Sequence, residues 1–194
     1  MPDEFLGERK KSLEESYFAK ESAKLAQKLR AKREKTAAAE GLAQVSGISD
    51  TEIIDKLAEL GIAPDTWAAL SLIPLVEVAW ADGRVSEKER RAVLSAAEAN
   101  GIAKGSAAHE LLESWLGVRP DPRFLEAWGA YIVEICSNLS AAERSALESE
   151  ILERAIQVGK AEGGILGLGS KLSDSERTVI DELRKAFRAQ PSRA

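Results

Sequence analysis

Apolar residues recur every three or four positions along most of the chain, which is the period of a helix with one face against a core. After residue 47 the pattern is divided by turns that contain glycine or proline, and it predicts about six to seven helices. No segment shows the alternation of apolar and polar residues that is typical of a half-buried strand. We therefore predict an all-α fold, a compact helical bundle preceded by a long N-terminal helix.

The stretch from Trp67 to Trp80 is the most apolar part of the chain. A helix is predicted to begin at Pro64 and run to Trp80, and to be central because apolar residues cover most of its circumference. The stretch is fourteen residues long and contains Pro74 and Glu77, so it is too short and too polar to span a bilayer. No basic region followed by an apolar run opens the chain, so no signal peptide is expected and a cytoplasmic location is predicted.

Residues 3–44 are predicted to form one long helix with a narrow apolar stripe. Charged residues surround the stripe, so this helix is not expected to be buried in a core. It is expected either to pair with another helix or to dock in a groove of a partner. The chain is therefore divided into an N-terminal docking arm, residues 1–46, and a helical domain, residues 47–190. The stripe consists of Leu6, Leu13, Phe18, Leu25 and Leu29.

Charge is distributed unevenly along the chain, whose net charge is −5. Residues 20–35 hold seven Lys or Arg against two Glu, whereas residues 36–194 hold seventeen basic against twenty-five acidic residues, a net of −8. A basic arm on an acidic body indicates an interaction segment. The arm has neither a recognition motif nor interleaved aromatic residues, so nucleic acid is not the expected partner.

A Ser-x-x-Glu-Arg pattern occurs three times, beginning at Ser86, Ser140 and Ser173. It is typical of a reciprocal helix cap, in which the serine oxygen accepts from an amide and the glutamate reaches back to the serine amide. Ser49, followed three residues later by Glu52, is predicted to cap the first helix after the arm in the same way. By itself the pattern specifies helix starts and no chemistry.

Two of these helix starts share a wider context. Asp82-Gly83 follows a predicted helix and precedes Ser86, and Glu162-Gly163 follows another and leads through a longer loop to Ser173. A helix, an acidic residue with glycine and a serine-capped helix therefore occur twice. We interpret this as a divergent internal duplication that gives the domain two related halves.

The first of these turns also matches the end of an EF-hand calcium loop, from Asp82 to Glu89. Val78 and Trp80 stand where the first two carboxylate ligands would be, so the segment is not an EF-hand. A different site for Ca²⁺ or Mg²⁺ remains a hypothesis, and the alternative is that Asp82 ends one helix and Glu89 caps the next. The other candidate ligands are Glu77, Glu162 and Glu176.

Few residues offer catalytic chemistry. The chain has one cysteine, Cys136, and one histidine, His109, so an internal disulfide and a Cys/His zinc site are both excluded. A Ser-His-Asp triad would depend on His109, which we interpret as a partly exposed helical residue. The glycine-rich segment 163–170 ends in Ser-Lys, the reverse of the phosphate-loop order, and follows a helix instead of a strand. We therefore expect a protein that is not an enzyme, with no certain cofactor.

The motif Ala-x-Ala-Asp82-Gly83-x-Val85-Ser86-x-x-Glu89 resembles the first signature of the TerB-like domains, named after tellurite-resistance proteins. The resemblance covers roughly residues 64–188. It implies a compact all-helical domain of two related halves, a link to stress responses and membrane-associated complexes, and divalent metal near the acidic turns. In the second half, Glu162-Gly163 and a glycine-rich insertion replace the usual Asp-containing turn.

Residues 15–30 are similar to the inhibitory helix of mitochondrial ATPase inhibitor proteins and to the zeta-type ATPase inhibitors of bacteria. The shared features are the Tyr17-Phe18 pair, Ser22 and Leu29. The resemblance implies docking in the catalytic head of a rotary F-type ATPase, F1. The alternatives are a docking helix for another protein and self-association as a coiled coil. The candidate partner-binding residues are Leu13, Tyr17, Phe18, Leu25, Leu29 and Arg30.

Overall fold

The computed structural model describes the backbone of residues 2–162 and 172–189, and the side chains of Lys20, residues 24–161 and residues 172–189. These residues form nine α-helices and no strand, which confirms the predicted all-α bundle. The helices are α1 (Pro2–Ser46), α2 (Thr51–Glu59), α3 (Trp67–Leu70), α4 (Ile73–Ala79), α5 (Glu87–Ala99), α6 (Ala107–Gly117), α7 (Arg123–Ser137), α8 (Ala141–Glu162) and α9 (Asp174–Arg188).

The predicted helix from Pro64 to Trp80 is wrong in one respect, because it consists of two helices, α3 and α4, separated by Ser71 and Leu72. A proline inside a helix lacks the amide hydrogen and clashes with the preceding turn, whereas the first turn accepts it. Pro74 accordingly lies in the first turn of α4. Eight helices therefore follow α1 in the described residues, one more than the largest number predicted.

Helix α4 is the centre of the bundle, as its pattern predicted. All seven of its residues are buried, and it packs against α5, α6, α7, α8 and α9. Between α7 and α9 the rings of Trp128 and Phe187, both almost fully buried, meet edge to face with their centroids 6.0 Å apart. The helix pairs α4–α5 and α8–α9 also pack against each other. The predicted duplication stays a prediction, because the turn of the second pair falls mainly outside the described residues.

All three Ser-x-x-Glu helix starts are confirmed. The amides of Ser86, Ser140 and Ser173 donate to the carboxylate of the glutamate three residues on, at 2.8, 2.9 and 2.6 Å. The three glutamate amides donate back to the serine hydroxyls at 3.2–3.3 Å. Each of these starts is therefore fixed by residues within one turn of helix.

The predicted cap at Ser49 is wrong, because Asp50 caps α2 instead. The Asp50 carboxylate accepts from the backbone amides of Glu52 and Ile53 at 2.8 and 3.4 Å. The amide of Ser49 donates to Glu134 in α7 at 2.8 Å. A carboxylate directly before the first helical residue reaches these amides, and Ser49 is one position too early.

The last turns of α1, residues 35–46, are called the root because they attach this helix to the domain. Leu42 is fully buried and Ala39 packs against the same core. The ammonium group of Lys35 lies 2.7 Å from the carboxylate of Glu59 in α2. The prediction that the first helix cannot be buried in a core is therefore wrong for the root, where α1 contributes a core leucine.

Gly41 is the position where the root passes closest to Pro64. A Cβ atom at Gly41 would lie 2.5 Å from Pro64 Cγ, and a proline ring cannot rotate away. We expect Gly41→Ala to lower the free energy of unfolding by about 1–2 kcal/mol, because the overpacking cost exceeds the helix-propensity gain of about 1 kcal/mol. The control is Gly129→Ala in α7, where the nearest atom is 4.0 Å away. It should be neutral or stabilising in urea denaturation; equal losses in both variants would contradict this packing.

Asp121 lies just before α7 and forms an ion pair with Arg123, the first residue of that helix. Its carboxylate accepts from the Arg123 guanidinium at 2.7–3.1 Å and from the Arg123 amide at 2.9 Å, which lowers the pKa of Asp121 from 3.8 to about 2. This stabilisation is complete above pH about 3.8 and is lost as the pH falls through about 2. NMR titration of the carboxyl carbon should give a midpoint near 2, and Arg123→Ala should return it towards 3.8. A wild-type midpoint at the ordinary value would refute the pairing.

Candidate docking surface

The exposed segment, defined as residues 24–34 of α1, precedes the root. Every side chain in it is exposed, including Leu25 at 59% and Leu29 at 51%. The two leucines are one turn apart and about 40° apart around the helix axis. Together they form an apolar surface, here called the Leu25–Leu29 face, that no described part of the domain covers.

The Leu25–Leu29 face is not a continuation of the side that packs on the domain. At 3.6 residues per turn, Leu25 and Leu29 point about 100° and 140° away from Leu42, which marks the core side of the root. Core packing therefore gives no reason for leucine at these two positions. Large apolar side chains that are exposed together on one helix face are typical of a surface that binds a partner.

Basic side chains border the Leu25–Leu29 face. Lys28, Lys32 and Arg33 all lie within about 80° of its centre. The one acidic residue of the exposed segment, Glu34, lies about 160° away. Within residues 24–34, the charge on the side of the apolar pair is therefore positive.

Arg30 lies towards the opposite side of the helix and does not border the face. Its guanidinium is 3.2 Å from the carboxylate of Glu34, one turn further on, and both side chains are largely exposed. Exposed pairs of this kind contribute only about 0.3–0.5 kcal/mol. The structure thus separates Arg30 from Leu25 and Leu29 among the predicted partner-binding residues. The side chains of Leu13, Tyr17 and Phe18 fall outside the described residues, so their predicted role is untested.

The four candidate cation ligands whose side chains are described all make other contacts. Glu89 and Glu176 are buried and cap their own helices. Glu77 is also buried, and its carboxylate accepts from the guanidinium of Arg119 at 3.0 Å, an interaction between residues far apart in the sequence. Asp82 is exposed and accepts from the amide of Arg84 at 3.2 Å within its own turn.

No three His, Cys, Asp or Glu side chains form a group that could hold a metal ion in the part of the chain whose side chains are described. The side chain of Glu162 lies outside that part. The described side chains around Asp82, Glu77, Glu89 and Glu176 thus supply no such group. The Ca²⁺ or Mg²⁺ site stays a prediction.

His109 is buried, so the prediction of a partly exposed histidine is wrong. Only 3% of the residue is accessible, because this side of α6 packs on α3, α4 and α5. Its Nδ1 makes no hydrogen bond and lies 3.6 Å from the carboxylate of Glu113, one turn later. The histidine is therefore a buried residue of the domain and is almost entirely shielded from solvent.

A cleft of about 190 Å³ lies between α2 and α7. Three of the four charged residues that line it are paired: Lys56 with Glu52 at 2.8 Å, Glu59 with Lys35 of the root, and Arg123 with Asp121. Ligand pockets in proteins usually combine a larger volume with a few convergent polar groups. The Leu25–Leu29 face is therefore a better candidate for function than this cleft. The cleft is lined by Ile53, Lys56, Glu59, Leu60, Arg123, Glu126, Ala127 and Ala130.

Comparisons of the chain with protein-family models, with curated proteins and with solved structures give no match. In the described residues, no helix has the length and apolar character needed to cross a membrane. Function is therefore inferred from the surfaces of the chain itself.

Proposed function

We propose that this protein is a non-enzymatic binding or scaffolding protein that docks on a partner protein through the Leu25–Leu29 face of α1. The observation that carries the proposal is the exposure of both leucines, each more than half accessible, on one side of a helix. Fully burying one leucine stabilises a complex by about 1.5–3 kcal/mol. Paired leucines one turn apart are the anchors of the helix-in-groove mode of recognition.

The root supports this function because it holds the other end of the helix on a folded domain. The buried side chain of Leu42 fixes the position of the root, and Lys35 also pairs with Glu59 of α2. Since a helix rises about 1.5 Å per residue, Leu25 lies about 26 Å along the axis from Leu42. The face is thus presented at a distance from the domain and is open to a groove on another molecule.

For the domain itself we propose a TerB-like helical module. The confirmed cap at Ser86 and Glu89, directly after the Asp82 turn, is consistent with that resemblance. The proposal includes a role in stress responses and, as a separate alternative, divalent-metal binding. A cytoplasmic location is part of the same proposal.

Inhibition of a rotary F-type ATPase is the second candidate function. Its support is the accessibility of Leu29 and Arg30, two residues of the segment that resembles inhibitor helices. In this case the partner would be a subunit of F1. Self-association through α1 is the third possibility, in which the partner is a second copy of the chain.

Site-specific photo-crosslinking in the cells that make the protein separates these candidates. A photoreactive residue at Lys32, beside the face, should give a specific crosslinked product, and the same residue at Gln27, on the opposite side of the helix, should not. An F1 subunit in the product would identify a regulator, a second copy would identify self-association, and another protein would identify a scaffold. Equal products from both positions, or none, would contradict docking through this face.

A further inference from the structure

The charges around the Leu25–Leu29 face indicate what kind of surface it binds. Within residues 24–34, Lys28, Lys32 and Arg33 border the two leucines, and the one acidic residue, Glu34, is on the far side beside Arg30. A groove that receives the leucines would bring its own rim close to the three basic groups. Like charges in such a rim would cost affinity, and opposite charges would orient the helix and accelerate association.

We propose that the partner carries an apolar groove lined by carboxylates, so that this protein recognises an acidic, helix-binding surface on another protein. This inference rests on the proposed function and adds the chemistry of the partner. The two leucines supply the apolar anchors, and the three bordering cations pair with Asp or Glu on the two walls of the groove. Arg30 remains paired with Glu34 and contributes little to partner binding.

Two other occupants fit the face less well. Two copies of the exposed segment would place five basic groups and one acidic group of each chain side by side, which is repulsive. An anionic membrane would attract the charges, but helices that lie in a membrane interface bury a broad apolar face. The exposed segment offers two large apolar side chains, Leu25 and Leu29, and otherwise alanine and polar residues.

The test uses the full chain and two synthetic probe helices. Both probes carry leucines at the a and d positions of a heptad repeat; one has glutamate at the e and g positions, and the other has lysine. Binding is measured by fluorescence anisotropy at about 0.05 M and about 0.5 M salt. Salt shortens the distance over which exposed charges interact, from about 10 Å at about 0.1 M to about 3 Å at about 1 M. We expect the acidic probe to bind at least about tenfold more tightly than the basic probe, and to lose about tenfold at high salt.

Two charge-reversal variants test whether the preference for the acidic probe comes from the residues beside the Leu25–Leu29 face. The triple variant Lys28→Glu, Lys32→Glu, Arg33→Glu should reverse the preference for the acidic probe. The control variant changes the same number of charges at exposed lysines of the domain and should keep the preference. These control positions are Lys104, Lys160 and Lys185.

Each remaining outcome decides the proposal. Equal binding of both probes, or the same loss in the control variant, would overturn it. Retention on phosphatidylserine vesicles that Leu25→Gln with Leu29→Gln abolishes would indicate a membrane instead, and dimerisation of the chain through this face would indicate a second copy. If the acidic probe fails while the crosslink from Lys32 persists, the acidic groove is wrong and the proposed function stands.

Discussion

Deleting residues 1–46 is expected to lower the unfolding free energy of the domain by about 2–5 kcal/mol, and deleting residues 1–34 is expected to change it by less than about 0.5 kcal/mol. The longer deletion removes Leu42, which is fully buried, and so leaves a cavity in the core. The shorter deletion removes only residues that precede the root. Urea denaturation of the two truncated chains beside the full chain measures the difference.

A point variant provides the control for this deletion. Leu42→Ala in the full chain should reproduce most of the loss of the longer deletion, because a buried leucine replaced by alanine costs about 2–5 kcal/mol. The Lys35–Glu59 pair should contribute little, since both side chains are about half exposed. If both truncated chains were equally stable, α1 would not be anchored to the domain through its root.

Replacing Leu25 and Leu29 together by glutamine is expected to weaken partner binding by at least about 100-fold, with no change in melting temperature. Both side chains are already exposed in the free chain, so the folded domain loses no packing. Glutamine has nearly the helix propensity of leucine, so the arm stays helical. Isothermal titration calorimetry with the partner identified by crosslinking at position 32 gives the affinities. A thermal melt gives the stability.

Ala31→Gln is the matched control for the leucine pair. Ala31 is exposed and lies on the opposite side of the same turns, about 120–160° from the leucines. It should leave affinity within about twofold of wild type. If Ala31→Gln weakened binding as much as the leucine variant, the arm would bind without a preferred face, as a charged helix in a non-specific complex does.

The helix starts were predictable from the sequence because each depends on a few neighbouring residues. A serine and a glutamate three positions apart form both cap hydrogen bonds within one turn, so Ser86, Ser140 and Ser173 needed no tertiary information. The central position of α4 was also predictable, since six of its seven residues are apolar. Where two capping residues stood next to each other, as Ser49 and Asp50 do, the sequence did not decide between them.

Features that depend on tertiary packing were not predictable in the same way. Leu42 reads as one more apolar residue of a charged helix, and only the position of α2 and α3 makes it part of the core. His109 is buried because α6 packs on three other helices. Glu77 pairs with Arg119 of a distant segment, and no local pattern indicates that contact.

The candidate surface was predicted in part. The sequence identified Leu25 and Leu29 as members of an apolar stripe, and the structure adds that both point away from the side that the root buries. It also separates Arg30, paired with Glu34, from the basic residues that border the leucines. Helix geometry alone separates Arg30 from these residues, whereas the side that the root buries depends on how the helix packs on the domain.

Hydrogen exchange of the chain, with and without the partner identified by crosslinking at position 32, is the most direct test of docking through the Leu25–Leu29 face. Partner binding should slow amide exchange in residues 24–34 by at least about tenfold and leave the exchange of α4 (Ile73–Ala79) unchanged, because the partner covers only the first region. Slower exchange confined to the domain helices, with residues 24–34 unaffected, would contradict it.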